Sequence, residues 1–236
     1  MQILLIGYGK MGQAIESFAS AKKHTIAGII DPGASQAFDF KKTVDIAIEF
    51  TQAESADANI RLCLDRNIPV LSGTTGWLSR KKETDDYCRQ KGGTFFYASN
   101  FSLGVNLFFK LNEQLARMMQ GQAAYDVSID EIHHTQKKDA PSGTAITLAD
   151  GIIRNIIRKK QWVKAETQRP SDLVIRSFRE DPVPGTHVVK YQSTTDDLEI
   201  KHTAHSREGF AAGALAVAEW LPGKKGVLSM EDFLKF

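Results

Sequence analysis

The chain is poor in cysteine, in net charge and in long apolar runs. Cys63 and Cys88 are its two cysteines in 236 residues. Both fall in helix-like segments and match no metal-ligand spacing, so no disulfide framework or zinc knuckle organises the fold. Two free thiols in a reducing compartment are expected. The 30 basic and 28 acidic side chains leave a net charge of +2, too near neutral to point to nucleic acid. No apolar run approaches the ~20 residues that span a bilayer. The sequence enters a strand pattern at residue 2, so no leader is expected and a cytoplasmic location follows. Internal repeats and low-complexity tracts are absent too.

What remains is an ordinary globular composition, 42% hydrophobic and 25% charged, long enough for one large domain or two of ordinary size. Residues 2–6 form a short apolar run ending at Gly7, which reads as a buried parallel strand. Helical spacing follows over 10–21. Further apolar runs cover 26–30 and 46–50, with helices expected over 54–65 and 79–91 and a strand over 94–98. This alternation predicts a Rossmann-type, doubly wound parallel sheet. The pattern changes near residue 100. An apolar helix over 104–120 leads to an alternating strand around Val127 and Ile129. A helix over 144–159 follows, then polar residues 160–172 read as loop. The stretches 173–178, 187–191 and 198–202 alternate apolar and polar residues. They predict an α+β substrate domain whose sheet is open and mixed, mostly antiparallel. A helix from Gly209 to Leu221 and a terminal helical turn over 230–236 close the chain. The expected division is a nucleotide domain, 1–103 completed by 206–236, and a second domain, 104–205.

Residues 7–12, G-Y-G-K-M-G, fit the dinucleotide fingerprint G-x-G-x-x-G. The spacing alone is weak evidence, but here it follows a strand and opens a helix. Gly7 permits the tight turn, Gly9 lets the backbone approach a pyrophosphate, and Gly12 allows close helix–strand packing. Free N–H groups at the helix start, near Lys10 and Met11, then meet the phosphates. Asp31 ends the second strand. It reads either as a plain turn former before Pro32 or as the acid that bonds the ribose hydroxyls. The second reading favours NADH, with NADPH tolerated through Lys10. Two loops, Gly73-Thr74-Thr75-Gly76 and Ser99-Asn100-Phe101-Ser102, follow parallel strands and would line the nicotinamide end of the crevice.

The fifteen residues 131–145, E-I-H-H-T-Q-K-K-D-A-P-S-G-T-A, carry the chemistry. His133 and His134 are adjacent at a strand end, so their side chains diverge, one toward a cleft and one toward its wall. A histidine pair alone reads more readily as structural. Lys137 shifts the balance, since a cation four residues on can anchor a carboxylate or donate a proton. Asp139 either orients that lysine or caps the turn. Ser142, Gly143 and Thr144 open a helix, as an ordinary N-cap, an anion site, or both. A metal site is not expected, because the histidines lack a completing ligand set.

E-I-H-H-x-x-K-x-D-A-P-S-G-T-A resembles the signature of the 4-hydroxy-tetrahydrodipicolinate (dihydrodipicolinate) reductase family. G-Y-G-K-M-G, G-T-T-G, the S-N-F-S-L-G-V-N of 99–106 and the later S-R-E-G-F-A-A-G-A also match, in order. The resemblance implies His133 as acid/base and Lys137 as proton donor. It implies that His134, Lys137, Ser142, Gly143 and Thr144 hold a cyclic dicarboxylate. Gly7, Lys10, Met11, Gly12 and Asp31 would bind the nucleotide, with Gly73, Thr75, Ser99 and Phe101 near the nicotinamide. A homotetramer built through the second domains' sheets is also implied, with neither nucleic acid nor membrane as partner. In the implied reaction the ring loses water to give an unsaturated imine, takes a hydride, and is protonated with help from His133 and Lys137. Closure about 99–103 and 205–209 would exclude water. Three departures stand out. The segment after Asp31 is short, no basic residue follows Asp31, and Gln136 stands where relatives are often basic. The rivals are a two-domain dehydrogenase acting on an amino acid or semialdehyde, and a nucleotide-sensing regulator. The first would not be expected to carry the H-H-x-x-K run; the second would need a DNA-reading helix.

Overall fold

A computed structural model describes residues 1–31, 43–164, 169–206 and 208–235. Most of the short segment after Asp31, the middle of 160–172, Arg207 and the final residue lie outside the described residues. In chain order the elements are β1 (Gln2–Ile6), α1 (Lys10–Ala21), β2 (Thr25–Ile30), β3 (Ile46–Glu49), α2 (Ala53–Leu64), β4 (Val70–Ser72), α3 (Lys81–Lys91) and β5 (Thr94–Tyr97). Then come α4 (Leu103–Met119), β6 (Asp126–His133), α5 (Gly143–Asn155), β7 (Gln161–Val163), β8 (Asp172–Arg179), β9 (Gly185–Gln192) and β10 (Asp197–Ala204). The chain ends with α6 (Glu208–Trp220), β11 (Gly226–Leu228) and α7 (Met230–Leu234). Two compact units result, Met1–Leu103 with Glu208–Phe236, and Gly104–Arg207. No described helix is long and apolar enough to cross a membrane.

Among the described residues, the first unit's sheet runs β11-β5-β4-β3-β1-β2, parallel throughout. Its central strands carry unbroken apolar runs, Ile3–Ile6 and Ile46–Ile48, because both faces are covered. Successive side chains point to opposite faces. Ile3 and Leu5 therefore pack with Ile15 and Ala19 of α1 and Ala214 and Leu215 of α6. Leu4 and Ile6 pack with Ile60 and Leu64 of α2 and Cys88 of α3. From β1 the chain goes one way to β2 and the other way to β3. That reversal opens a crevice at the strands' C-terminal ends, where ligands bind in such sheets. Strand β11 is an addition to the expected elements. It lies parallel to β5, pairing Val227 with Phe95.

The second unit's sheet runs β10-β9-β6-β8-β7. The sheet is mixed, as expected, with antiparallel and parallel pairs equal in number among the described residues rather than mostly antiparallel. Pairs β10–β9 and β9–β6 are antiparallel, whereas β6–β8 and β8–β7 are parallel. The cause is the crossover through α5 and then β7, which brings the chain back to β8 in the direction of β6. Residues 161–163, expected as loop, are the edge strand β7, paired with β8 over three residues. One face carries Val127, Ile129, Leu173, Ile175, Val189 and Tyr191 against Phe108 and Ala116 of α4 and Leu148 and Ile152 of α5. The opposite face bears a charge ladder. Arg176 lies 3.0 Å and Lys190 3.1 Å from the Asp130 carboxylate, and Lys190 3.4 Å from Glu199.

Candidate active site

The glycine loop of the first unit has the geometry its sequence requires. Gly7 adopts φ +90°, and a Cβ there would sit 2.1 Å from the Phe50 carbonyl oxygen. A Cβ on Gly12 would sit 2.4 Å from the Gly7 oxygen. Gly9, by contrast, is exposed, and a Cβ would meet no described atom within 4 Å. It is the N-cap of α1. Among the described residues it has no side-chain cap, and the first turn holds no acidic residue. The helix thus offers its N–H groups and positive dipole end to an outside anion. The Tyr8 N–H donates to Asp31 Oδ1 at 2.9 Å, which draws the Asp31 carboxylate to this loop. Lys10 is exposed and Met11 half-buried beside the core. These residues fit a dinucleotide.

The neighbouring loops hang on one acid that sequence reasoning did not single out. Glu49 is wholly buried. It accepts hydrogen bonds from Ser72 Oγ at 2.5 Å, Thr74 Oγ1 at 2.9 Å and the Thr51 N–H at 3.1 Å, and also meets the Thr51 hydroxyl. The hydroxyl of Thr74 is therefore committed inward, while Thr75 is exposed. Gly73 is small because Phe50 fills its space, with a Cβ only 2.1 Å from that ring. Phe101 is 1% exposed and its ring packs on Phe50 and Phe96. What Phe101 can offer a ligand is backbone. Ser99 is exposed, and Asn100 Oδ1 accepts the Ser102 N–H at 2.8 Å.

In the second unit the two histidines diverge. His134 lines a cavity of about 290 Å³ with Gln136, Asp181, Pro182, Val183 and Pro184. His133 turns inward and is 7% exposed. Lys137 Nζ lies 2.8 Å from both Asp139 carboxylate oxygens. That ammonium holds the Asp139 carboxyl below its ordinary range. Thr135 is tied to Asp181 through its N–H at 3.1 Å and its hydroxyl at 2.6 Å. Ser142 is the N-cap of α5, accepting the Ala145 N–H at 3.2 Å. Its hydroxyl also lies 2.9 Å from His187 Nε2, so the side chain is spent on the fold. Gly143 is exposed and Thr144 half-buried. As the first two residues of α5, their N–H groups have no carbonyl one turn back within the helix.

Beneath this cradle lies a buried polar cluster. The strand face that sends Val127 and Ile129 into the core continues as Glu131 and His133. Pairing places Glu131 opposite Ser177 on β8 and His187 on β9, and His133 opposite Arg179. Glu131 is wholly buried, with Oε2 2.7 Å from His133 Nδ1. Burial alone would raise its carboxyl, but contacts with His133, Ser177 and Ser142 bring it down to about 2. Burial, followed by the neighbouring His133, pushes His187 down to about 3. Ligand atoms of Glu131, His133 and His187 lie within 4.8 Å of one another, a grouping the sequence did not foretell. The Glu131–His133 separation is shorter than the ~3.3 Å kept by two ligands ~2.0 Å from a tetrahedral ion, so the pair stands as a close contact of acid and imidazole.

Known proteins resemble this chain along nearly its whole length. Residues 1–101 match the family model described as dihydrodipicolinate reductase, N-terminus, and residues 104–234 the model described as dihydrodipicolinate reductase, C-terminus. A 4-hydroxy-tetrahydrodipicolinate reductase of Christiangramia forsetii is 47% identical over 236 residues, covering 99% of this chain and 98% of that protein. The protein of the same name from Caldanaerobacter subterraneus subsp. tengcongensis is 33% identical, covering 96% and 95%. A solved structure of dipicolinate-bound dihydrodipicolinate reductase from Paenisporosarcina sp. TG-14 shares the fold, with a TM-score of 0.80 at 20% identity over 99% of each chain. Aspartate dehydrogenase of Thermotoga maritima shares it more loosely, with a TM-score of 0.54 at 12% identity over 95% of this chain and 97% of that one. The fold therefore extends to other dehydrogenases, whereas both family models and the long, near-complete relatives agree: the chain belongs to the dihydrodipicolinate reductase family.

Proposed function

We propose that this chain reduces 4-hydroxy-tetrahydrodipicolinate to tetrahydrodipicolinate with a reduced pyridine nucleotide, in the diaminopimelate route to lysine, as a cytoplasmic enzyme. Beside family membership, one observation carries the reading. The second unit joins an ammonium, a buried imidazole and a helix start whose Gly143 and Thr144 N–H groups have no carbonyl within the helix to meet, all within fifteen residues. Such a cradle suits a small dicarboxylate that must be held and protonated. Dipicolinate, the ligand named for the related solved structure, is a molecule of that kind.

The nucleotide, when bound, supplies a hydride; Gly7, Gly9, Lys10, Met11 and Gly12 would hold its phosphates. Asp31 favours NADH, since its charge would oppose a 2′-phosphate. Gly73, Thr75, Ser99 and Asn100 would border the nicotinamide, with Thr74 and Phe101 supporting those loops from within. His134 and the N–H groups of Gly143 and Thr144 hold the substrate carboxylates. Ser142 serves by fixing the turn, because its hydroxyl faces His187. Lys137 exchanges its Asp139 partner for a substrate carboxylate and delivers the proton to the reduced ring. His133, its Nδ1 2.7 Å from Glu131 Oε2, is the buried acid/base behind that lysine. The laddered face of the second sheet, with Ile132, Val174 and Val188 among its charges, would form the homotetramer.

The aldol product of pyruvate and aspartate semialdehyde, added to enzyme with NADH or NADPH, is expected to bleach the reduced-nicotinamide absorbance, faster with NADH. No oxidation of either nucleotide would sink the reading.

A further inference from the structure

Arg179 ends β8 level with His133 on β6, and its five N–H groups are all engaged. Both Nη atoms donate to Glu131 Oε1 at 3.2 Å. Nη1 also donates to the Phe178 carbonyl at 2.7 Å. Nη2 donates to the Asp139 carbonyl at 2.7 Å and Nε to the Lys137 carbonyl at 3.3 Å. One guanidinium thus joins the acid beneath His133 to the backbone that carries Lys137.

We propose that Arg179 is a positioning residue for the reductase reaction, holding the His133 imidazole, through Glu131, and the Lys137 loop in one fixed relation. The planar fork matters. The Glu131 carboxylate oxygen on β6 and the Lys137 and Asp139 carbonyls of the loop are reached together by a five-donor guanidinium, and not by a point charge on a flexible stem. Residues 134–140 form no helix or strand. Their path is set by Arg179, the Thr135–Asp181 bonds and the Ser142 cap. Of these, Arg179 joins the Lys137 and Asp139 backbone directly to Glu131, the partner of His133. A misplacement of about 1 Å at such a site costs roughly a hundredfold in rate, which is the scale expected here.

The proposal rests on the reading that Lys137 and His133 manage the proton, so the test separates the two. Lys137→Ala, Arg179→Ala, Arg179→Lys and the double variant Arg179→Ala/Glu131→Gln are compared by steady-state kinetics across pH, NADH titration and thermal unfolding. The double variant removes the buried acid that Arg179→Ala alone would leave uncompensated, and keeps the test alive should the single variant fail to fold. For folded Arg179→Ala, and for the double variant, kcat is expected to fall about 30- to 100-fold, with NADH affinity within about twofold. The kcat–pH profile is expected to shift, because Glu131, His187 and Arg179 are the groups facing His133. Arg179→Lys is not expected to recover activity. Millimolar guanidinium is expected to restore part of kcat in Arg179→Ala, a rescue that a merely structural loss would not show. Wild-type kcat and pH profile in a folded Arg179 variant would overturn the proposal, as would a loss confined to thermal stability. Wild-type turnover by Lys137→Ala would instead overturn the underlying reading.

Discussion

His133 Nδ1 lies 2.7 Å from Glu131 Oε2, two residues earlier on the same strand face, and that carboxylate is wholly buried. The acid stands against the ring at ion-pair distance, beside His187 on the neighbouring strand. The imidazole is therefore held by a charge that solvent cannot screen.

Replacing either end of the proton machinery is expected to separate chemistry from nucleotide binding. In Lys137→Ala and His133→Ala, kcat should fall by about 10² to 10⁴. NADH affinity, read by fluorescence titration, should stay within about twofold. Full turnover in both variants would remove the assigned roles.

Glu131→Gln tests the buried acid directly. It leaves the Arg179 guanidinium without its charged partner, and loss of one member of a buried pair costs roughly 3 kcal/mol. A urea midpoint equal to wild type would show that the pair is not stabilising.

Stability should also fall on acidification, with a traceable source. Folding holds His187 down to about 3 from its ordinary 6.5. The unfolded chain takes up that proton below pH ~6.5 and the folded chain only near pH ~3. This contribution is fully present above pH ~6.5 and is lost as pH falls through the window. His202, also lowered by burial, acts in the same direction, and Glu131 adds a second loss from its ordinary 4.5 down to about 2. His187→Phe is expected to flatten the slope of unfolding free energy by up to ~1.4 kcal/mol per pH unit between pH ~6 and ~4. Parallel curves for variant and wild type would show that His187 titrates normally.

Two glycines of one loop should respond differently. Gly7→Ala forces an L residue into φ +90° and onto the Phe50 carbonyl, so the melting temperature should drop sharply. Gly9→Ala meets no described atom, so stability should hold while NADH affinity falls about tenfold, the methyl standing where a pyrophosphate would approach. Unchanged NADH affinity in Gly9→Ala would place the nucleotide elsewhere.

Asp31→Ser removes the charge that opposes a 2′-phosphate. The NADPH-to-NADH ratio of kcat/KM is expected to rise about tenfold, on the scale of a lost charged hydrogen bond. An unchanged ratio would make Asp31 only a brace for Tyr8.

The parallel sheet is legible in residues 2–6 and 46–50 because strands covered on both faces carry apolar runs without alternation, here Ile3–Ile6 and Ile46–Ile48. Strand β11 is not, since three residues carry no periodicity. The sense of β8 relative to β6 is equally silent, because alternation specifies a face and never a neighbour. The same physics divides the site. His133 and Lys137 stand in one continuous motif. Glu131 shows itself by parity, as an acid continuing the row of Val127 and Ile129. Arg179 and His187 join that row only through pairing with β6. Thr74 and Phe101, read as ligand contacts from their loops, turn their side chains inward because Glu49 and the Phe50 and Phe96 rings are there to receive them.

Each unit closes its own apolar core, one around Ile3 and Leu5 with Leu4 and Ile6 on the reverse face, the other around Val127, Ile129 and Tyr191. A substitution that retunes nucleotide choice at Asp31 or Lys10 therefore need not disturb the packing beneath His133. Descent with modification could exchange one electron carrier for another while the acid-recognising half stays under separate selection.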